Sequence, residues 1–584
     1  MHALSTTDPK STLSARVQEA IEVAFGAEYA GTDAVIRPSQ FADYQANAAL
    51  PLAKRLGRKP REVAADIVAA LQVDDLCAGL EISGPGFINL TLRDEAIADR
   101  SNAQSADPRL GLPVLTAQRI VVDYSAPNVA KEMHVGHLRT TVVGDALART
   151  LEHLGHQVIR QNHIGDWGTP FGMLLEHLLD VGEHGDDAGL LRSDPNSFYQ
   201  SARNKFEGST EFAGRARARV VALQAGEPNT LRLWQELIDL SKTYFNQIYT
   251  ALDVTLTDDD LMGESRYNES LSALCDELEQ KGLAVVSEGA LCVFLEGFTG
   301  REGKPVPLII RKSDGGYGYG TTDLATIRYR ARQLHADRIL YVIGAPQHLH
   351  LQMVFATARL AGWLPEDVHP VHVQIGNVLG QDGKILKTRS GAPIRLGVLL
   401  EEAVDRAAAV VEKIRPDLDD RTRADIARQV GIGAVKYADL SLAHDTEYTF
   451  DFDRMLALTG NTGPYLQYAS ARIRSILRKA TDTSDQDAFP GTIEVGQPAE
   501  RRLALELLGF GGVVAEVGDT LEPHRLCAYL FSLAQAFTGF YDACPVLKAP
   551  DPAVRSSRLA LCDLTLRVLV VGLGLLGVSA PEQM

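Results

Sequence analysis

The sequence predicts a multidomain α/β protein: a parallel-sheet core with helical insertions, a small α+β unit before it and an all-α bundle after it. Three observations predict this. The run Val121-Val122-Asp123 breaks at Pro127-Asn128, and Leu138, Val142, Val143, Leu147, Leu151 and Leu154 follow at helical spacing. Gly155 falls where a helix C-cap belongs, and a further apolar run spans Gln157 to Gln161, so the unit reads strand, turn, helix, strand. Arg338–Ile343 is a continuous apolar strand of the type buried on both faces, and Val371–Gly376 is another strand. From Leu399 onward helical patterns recur without strands, as in a bundle.

At 584 residues, with 45% hydrophobic and 23% charged residues, the composition is that of an ordinary globular protein. A formal charge of −17 excludes a generally polycationic protein. It leaves room for a local basic stripe that binds phosphates. The six cysteines are scattered without a Cys-x-x-Cys, which suits reduced, buried thiols and a cytoplasmic setting. There is no apolar signal core. The most apolar stretch, Val568–Ala580, is shorter than the ~20 residues of a membrane span and holds three glycines. It reads as a buried helix, and no membrane association is expected.

The N-terminal unit, 1–112, shows amphipathic spacing over Ala15–Phe25 and Arg61–Leu71. Glu81–Leu92 is turn chemistry feeding an alternating strand, with Phe87 and Asn89 on one face and Ile88 and Leu90 on the other. Arg100–Pro108 is polar and reads as a linker.

The core is placed at 113–398. His134-Val135-Gly136-His137 sits at its first turn and helix start. Free N–H groups and the helix dipole favour an anion there, imidazoles can donate to phosphate oxygens, and a glycine admits a flat base or ribose. Two ordinary histidines at a helix start are the plain alternative. No His-Glu-x-x-His and no cysteine cluster supports a metal pair, so no resident metal is expected. Gln161 to Pro170 is a shaped loop at the ligand edge of the sheet. Leu174 to Ser287 is mostly helical and charged, an insertion. Ala290–Leu295 and Val306–Arg311 are short strands.

Tyr319 to Asp323 opens a helix, and Asp323 is either a helix N-terminal carboxylate or a ligand contact. Gly344 to His350 brings polar side chains, Gln347 among them, to the C-terminal end of a strand, where open sheets bind ligands. Asn377 to Gly391 packs three glycines and the cations Lys384, Lys387 and Arg389 into one loop. A basic loop there can close on phosphates and neutralise developing charge.

Segment 399–454 reads as a helical connector and 455–584 as a bundle. Helices are expected at Ala403–Ile414, Arg421–Ala438, Tyr465–Ala480, Ala499–Val517, Pro523–Ala543 and Ser556–Leu576. Tyr465 and Tyr468 share a helix face with Arg472 one turn beyond. They suit stacking on unpaired bases, or a buried core.

Together these stretches resemble the class I arginyl-tRNA synthetases. Ser125-Ala126-Pro127-Asn128 with Lys131 to Arg139 resembles the family's "HIGH" signature, and Arg160 to Gly168 the segment after it. Lys387-Thr388-Arg389-Ser390-Gly391 takes the place of "KMSKS". Gly84-Pro85-Gly86-Phe87-Ile88-Asn89, Gly463-Pro464-Tyr465-Leu466-Gln467-Tyr468 and the tail ending at Met584 are also similar to the family, in the same order.

The resemblance implies a Rossmann-like catalytic core and a C-terminal anticodon-binding bundle. It implies activation of L-arginine with ATP, entering with Mg2+, and transfer to the 3'-terminal adenosine of tRNA-Arg, with tRNA needed before the adenylate forms. His134, Gly136, His137 and Lys387 would hold ATP, and Lys131, Lys384 and Arg389 would add charge. Asp123, Ala126, Pro127, Asn128, His137, Tyr319, Asp323 and Gln347 would surround arginine, with Asp323 opposite the guanidinium. Phe87 and Asn89 would touch the tRNA elbow at the D-loop. Tyr465, Tyr468, Tyr541 and Met584 would meet the anticodon. A monomer is expected.

Two departures matter. Ser390 stands where a second lysine is usual, with Lys131 the compensating cation, and Ala126 stands where many members have serine. A class I synthetase for another amino acid would share the first signature but not the Gly463–Tyr468 and Lys387–Gly391 stretches. A silent tRNA-binding paralogue would have lost the histidines or the loop cations.

Overall fold

The computed structural model describes residues 7–182, 189–191, 194–300, 303–386, 394–481, 491–549 and 551–584. Its centre is a five-stranded parallel sheet of β5 (Arg119–Asp123), β6 (Gln157–Ile164), β7 (Leu261–Gly263), β11 (Arg338–Gly344) and β12 (His369–Ile375), in the order β12-β11-β5-β6-β7. The chain leaves β5 for β6 on one side and later returns to β11 on the other. The crevice beyond Asp123 is therefore the switch point of the sheet, where open α/β folds bind ligands. Val121, Val122, Ile339 and Leu340 are fully buried, as the continuous apolar runs predict.

Helix Val135–His153 follows β5, and Gly155 behind it takes φ +97°. Between β6 and β7 lie the helices Pro195–Gly208, Thr210–Gln224 and Pro228–Ala251. The mostly helical insertion expected over Leu174–Ser287 nonetheless contains the edge strand β7, too short to leave a periodic signal. An antiparallel sheet of β8 (Ala284–Ser287), β9 (Ala290–Thr299) and β10 (Pro305–Arg311) precedes β11.

The N-terminal unit is a four-stranded antiparallel sheet, β1 (Ile36–Pro38), β2 (Tyr44–Ala46), β3 (Cys77–Ser83) and β4 (Phe87–Leu92), ordered β1-β2-β4-β3. The expected linker at Arg100–Pro108 is instead mostly helix, within Asp94–Ala106. Its polar side chains are spent on docking. Gln104 donates to the Leu507 carbonyl at 2.7 Å, and Asn102 exchanges hydrogen bonds with the Ile493 backbone at 2.9 and 2.7 Å. Arg501 adds ion pairs to Asp43 and Asp94, so the unit is fastened to the C-terminal bundle.

That bundle comprises Gly463–Thr481, Pro498–Leu508, Phe510–Thr520, His524–Ala543 and Pro552–Leu575. The single helix expected over Ala499–Val517 breaks at Gly509, which ends one helix and starts the next. Ahead of the bundle, helices Leu396–Ile414 and Asp420–Leu440 pack against the core. Arg139, from the first core helix, is almost wholly buried on Asp439 at 3.1 Å and donates to the Thr446 carbonyl at 2.6 Å. No helix among the described residues is long and apolar enough to cross a membrane.

Candidate active site

The turn after β5 is strained and held. Ser125 and Ala126 adopt φ +73° and +47°, a left-handed conformation that costs roughly 1–2 kcal/mol per residue outside glycine. The surrounding hydrogen bonds offset that cost. The Ser125 hydroxyl meets the Tyr249 hydroxyl at 2.8 Å and accepts from Thr141 at 2.9 Å. Asn162 accepts from the Ala126 amide at 3.0 Å and donates to Tyr249 at 2.8 Å. The turn brings exposed Asn128 beside Gly165 at the end of β6, with Pro127 buried behind it.

His134 and His137 cap the helix they begin. The Gly136 amide donates to His134 Nδ1, and the His134 amide donates to His137 Nδ1, both at 3.1 Å. With each Nδ1 acting as acceptor, each neutral ring carries its proton on Nε2, the atom free to donate to a phosphate. Burial lowers both pKa values and the nearby Lys131 charge lowers them further, His137 to about 3. Both rings are therefore neutral donors at pH 7.

Gly136 is exposed, and a Cβ there would lie 2.8 Å from His134 Cε1 and 2.9 Å from its Nδ1. Only glycine lets the first ring fold back onto the amide. Gly136→Ala should displace His134 and, on the reading that these rings hold ATP, weaken ATP use by about tenfold or more, the worth of one charge-assisted hydrogen bond. The ATP dependence of pyrophosphate exchange would show it, and an unchanged ATP KM would refute it.

Lys131 lies 4.0 Å above the Tyr199 ring on the insertion helix. The segment around Met133 is laddered to the chain after the basic loop. Val135 donates to the Ile394 carbonyl at 3.0 Å, Leu396 to the Met133 carbonyl at 2.9 Å, and Glu132 pairs with Arg395 at 3.4 Å. Lys384 is exposed in the turn closed by the Gly380 amide on the Lys384 carbonyl at 2.7 Å. Lys387 and Arg389 lie outside the described residues.

Across the crevice an acidic pocket forms. Asp323 and Tyr319 stand one turn apart on helix Tyr319–Arg332. His350 Nε2 meets Asp323 Oδ2 at 2.6 Å. Glu264, in the turn after β7, joins them. Burial, then the charges of Asp323 and Asp166, push its carboxyl up to about 8. Asp166 fixes that turn by accepting from the Ser265 amide at 2.9 Å and hydroxyl at 2.6 Å, which gives the Gly165-Asp166-Trp167 loop a positioning task. Glu264, Tyr199 and Asp323 all act on the Tyr319 hydroxyl. Gln347 is exposed at the end of β11.

Two sequence expectations need correction. Asp123 is 3% exposed, and its Oδ2 is held at 2.8 Å by the fully buried Arg330, which also donates to Gln161 at 2.6 Å. It braces the sheet edge, because a buried guanidinium has to be paired. Asn89 is also 3% exposed, accepting from Gln45 at 2.8 Å and donating to Ser83 at 3.1 Å. Its amide is consumed inside the sheet, whereas Phe87 is half-buried at the hairpin.

In the bundle, Tyr468 is 43% exposed, and Tyr465 packs edge-on to Phe531 at 5.6 Å. Arg472 lies 4.3 Å over Tyr541, and Arg415 donates to the Met584 carbonyl at 3.4 Å. Glu264 and Tyr199 escaped sequence reasoning, and His350 was reached only as the end of the polar stretch Gly344–His350, with no role of its own.

The family model for the catalytic domain of class I (R) tRNA synthetases matches residues 102–452. The models for the arginyl tRNA synthetase N-terminal domain and the DALR anticodon binding domain match 11–92 and 466–584. The chain is 70% identical over 577 residues to an arginine–tRNA ligase of Thermobifida fusca (strain YX), covering 99% of this chain and 100% of that one. It is 53% identical to the enzyme of the same name from Frankia casuarinae, covering 95% and 96%. Among solved structures, the arginyl-tRNA synthetase of Thermus thermophilus superposes with a TM-score of 0.82 at 27% identity, over 99% of this chain and 100% of that one. That of Plasmodium falciparum gives 0.82 at 28%, over 98% and 99%. With the capping histidines on one side of the crevice and the acidic pocket on the other, the chain belongs to the class I arginyl-tRNA synthetases, the arginine–tRNA ligases.

Proposed function

We propose that ATP and arginine lie side by side across the switch point, ATP on the capping histidines and arginine with its guanidinium on Asp323 and Glu264. As an arginine–tRNA ligase the chain first joins the arginine carboxylate to the α-phosphate. An oxygen of the carboxylate attacks phosphorus in line, the bond to the β-phosphate oxygen breaks, and pyrophosphate leaves. A ribose hydroxyl of the terminal adenosine of tRNA-Arg then attacks the arginyl carbonyl, and AMP leaves. Neither step needs a protein nucleophile, so catalysis rests on positioning and charge.

His134 and His137 donate Nε2–H to the phosphates, and Gly136 lies against the nucleoside. Lys131, Lys384, Lys387 and Arg389 neutralise charge that builds on the departing pyrophosphate, with Mg2+ arriving on ATP. Asn128 and Gln347 hold the α-amino and carboxylate end, Tyr319 flanks the side chain, and Ala126 and Pro127 form the wall. Phe87 at the elbow and Tyr465, Tyr468, Tyr541 and Met584 at the anticodon contact a single tRNA on a monomeric, cytoplasmic enzyme.

The observation that carries this reading is the tautomer imposed on both histidines opposite a pair of carboxylates. Arginine-dependent charging of total tRNA tests it, and equal charging with another amino acid would end it. Pyrophosphate exchange should fall to near background without tRNA, because bound tRNA orders the charged site. Full exchange without tRNA would refute that step.

A further inference from the structure

His350 stands outside every role assigned above, yet it makes a close contact in the acidic pocket, 2.6 Å from Nε2 to Asp323 Oδ2. Both side chains stay partly open to solvent, 31% and 24% exposed, so a guanidinium bound to Asp323 arrives beside this pair. The two come from different helices, Tyr319–Arg332 and His348–Leu360, the second directly after Gln347. Their meeting is a property of the fold.

We infer that His350 is a specificity-setting positioning residue: neutral, it orients Asp323 for the guanidinium, and protonated, it competes with arginine for that carboxylate. This inference rests on the reading of Asp323 as the arginine anchor. A neutral ring with its proton on Nε2 engages Oδ2 and leaves Oδ1 for the substrate. A protonated ring is itself a planar cation on the same carboxylate, and a second positive charge beside it is disfavoured.

The surroundings sharpen this competition. Asp323 hydrogen-bonds His350 and raises its pKa, with burial opposing. Burial, then the charges of Asp323 and Asp166, raise the Glu264 carboxyl, and burial, then Glu264, Tyr199 and Asp323, raise the Tyr319 hydroxyl. His348, on the same helix as His350, is turned to His372 at 3.1 Å and Gln374 at 3.3 Å. Arg330 is committed to Asp123 and Gln161. Arginine binding therefore expels a proton from His350 as well as from Glu264, and the apparent affinity climbs with pH on both accounts.

The test measures the arginine KM and kcat of the full chain with tRNA and saturating ATP between pH 6 and 8.5, for wild type, H350A, H350Q and D323N. The arginine KM of wild type should rise toward the acid side with a slope approaching two protons. H350Q, whose amide donor reaches the same oxygen without titrating, should lose about one proton of that slope. H350A should raise the KM about tenfold at pH 8 with kcat changed less than twofold, and H350Q should recover most of that loss. Calorimetry with L-arginine at pH 6.5 should find about one proton fewer released by H350Q than by wild type. A wild-type pH slope in H350Q, or a wild-type KM in H350A, overturns the inference. If D323N raises the arginine KM at least a hundredfold while the His350 variants behave as wild type, the anchor stands and this inference alone fails. If D323N leaves the arginine KM unchanged, the underlying reading fails with it.

Discussion

Replacing Asp323 with alanine is expected to raise the arginine concentration needed for half-maximal activation by about 100-fold to 1000-fold. Truncating one partner of a desolvated, hydrogen-bonded charge pair costs roughly 2–5 kcal/mol, and each 1.4 kcal/mol is tenfold. The loss should fall on arginine alone. Asp323 sits across the crevice from the capping histidines, so the KM for ATP should hold while that for arginine climbs. Glu264 remains in the variant, and its carboxyl, no longer facing Asp323, ionises more readily and retains part of the affinity. Pyrophosphate exchange with tRNA present, titrated separately in each substrate, checks both halves. A normal arginine dependence, or an equal loss toward ATP, would contradict the placement.

Arg139→Met is expected to destabilise the fold by about 3–5 kcal/mol, because it strands a buried carboxylate. Arg139 and Asp439 are 1% and 0% exposed, and the guanidinium also serves the Thr446 carbonyl and packs over Tyr448. The thermal midpoint should drop by about 3–4 °C, the shift such a loss produces in a chain of this length. R139M/D439L, which removes both charges, should regain much of that loss, since two apolar groups can replace a buried pair without leaving an orphan.

The sign of the pH effect follows from Asp439, whose pKa is raised by burial even with Arg139 present. A carboxyl held above its unfolded value binds its proton more tightly when folded, so stability falls as pH rises past the ordinary carboxylate range. Without Arg139 that penalty grows. R139M should therefore melt closer to wild type at pH 5 than at pH 8, and a constant difference would refute the account.

Much of this architecture was legible in the chain. The break at Pro127-Asn128 and the glycine behind Leu154 mark a strand, a turn and a helix by local chemistry alone. The histidines could be proposed for phosphate because a helix start supplies the field. Legibility ended where through-space meetings take over. Glu264 becomes part of the site only because β7 adds to the sheet edge and Asp166 pins the turn behind it, and three residues of strand carry no period. Asp123 entered the expected arginine site through the resemblance alone, and its partner Arg330 lies 207 positions on, beyond the reach of any local pattern. Asn89 fits the alternation of a surface strand, yet Gln45 from the neighbouring strand claims it.

The reciprocal histidine cap makes the two halves of the crevice unequal toward acid. Since both imidazoles have surrendered one nitrogen to the backbone, mild acidification leaves the proposed triphosphate seat chemically as it was. The seat for the amino acid is built from groups poised to take up hydrogen ions. On the proposed placement, acid weakens the hold on arginine while the hold on ATP persists.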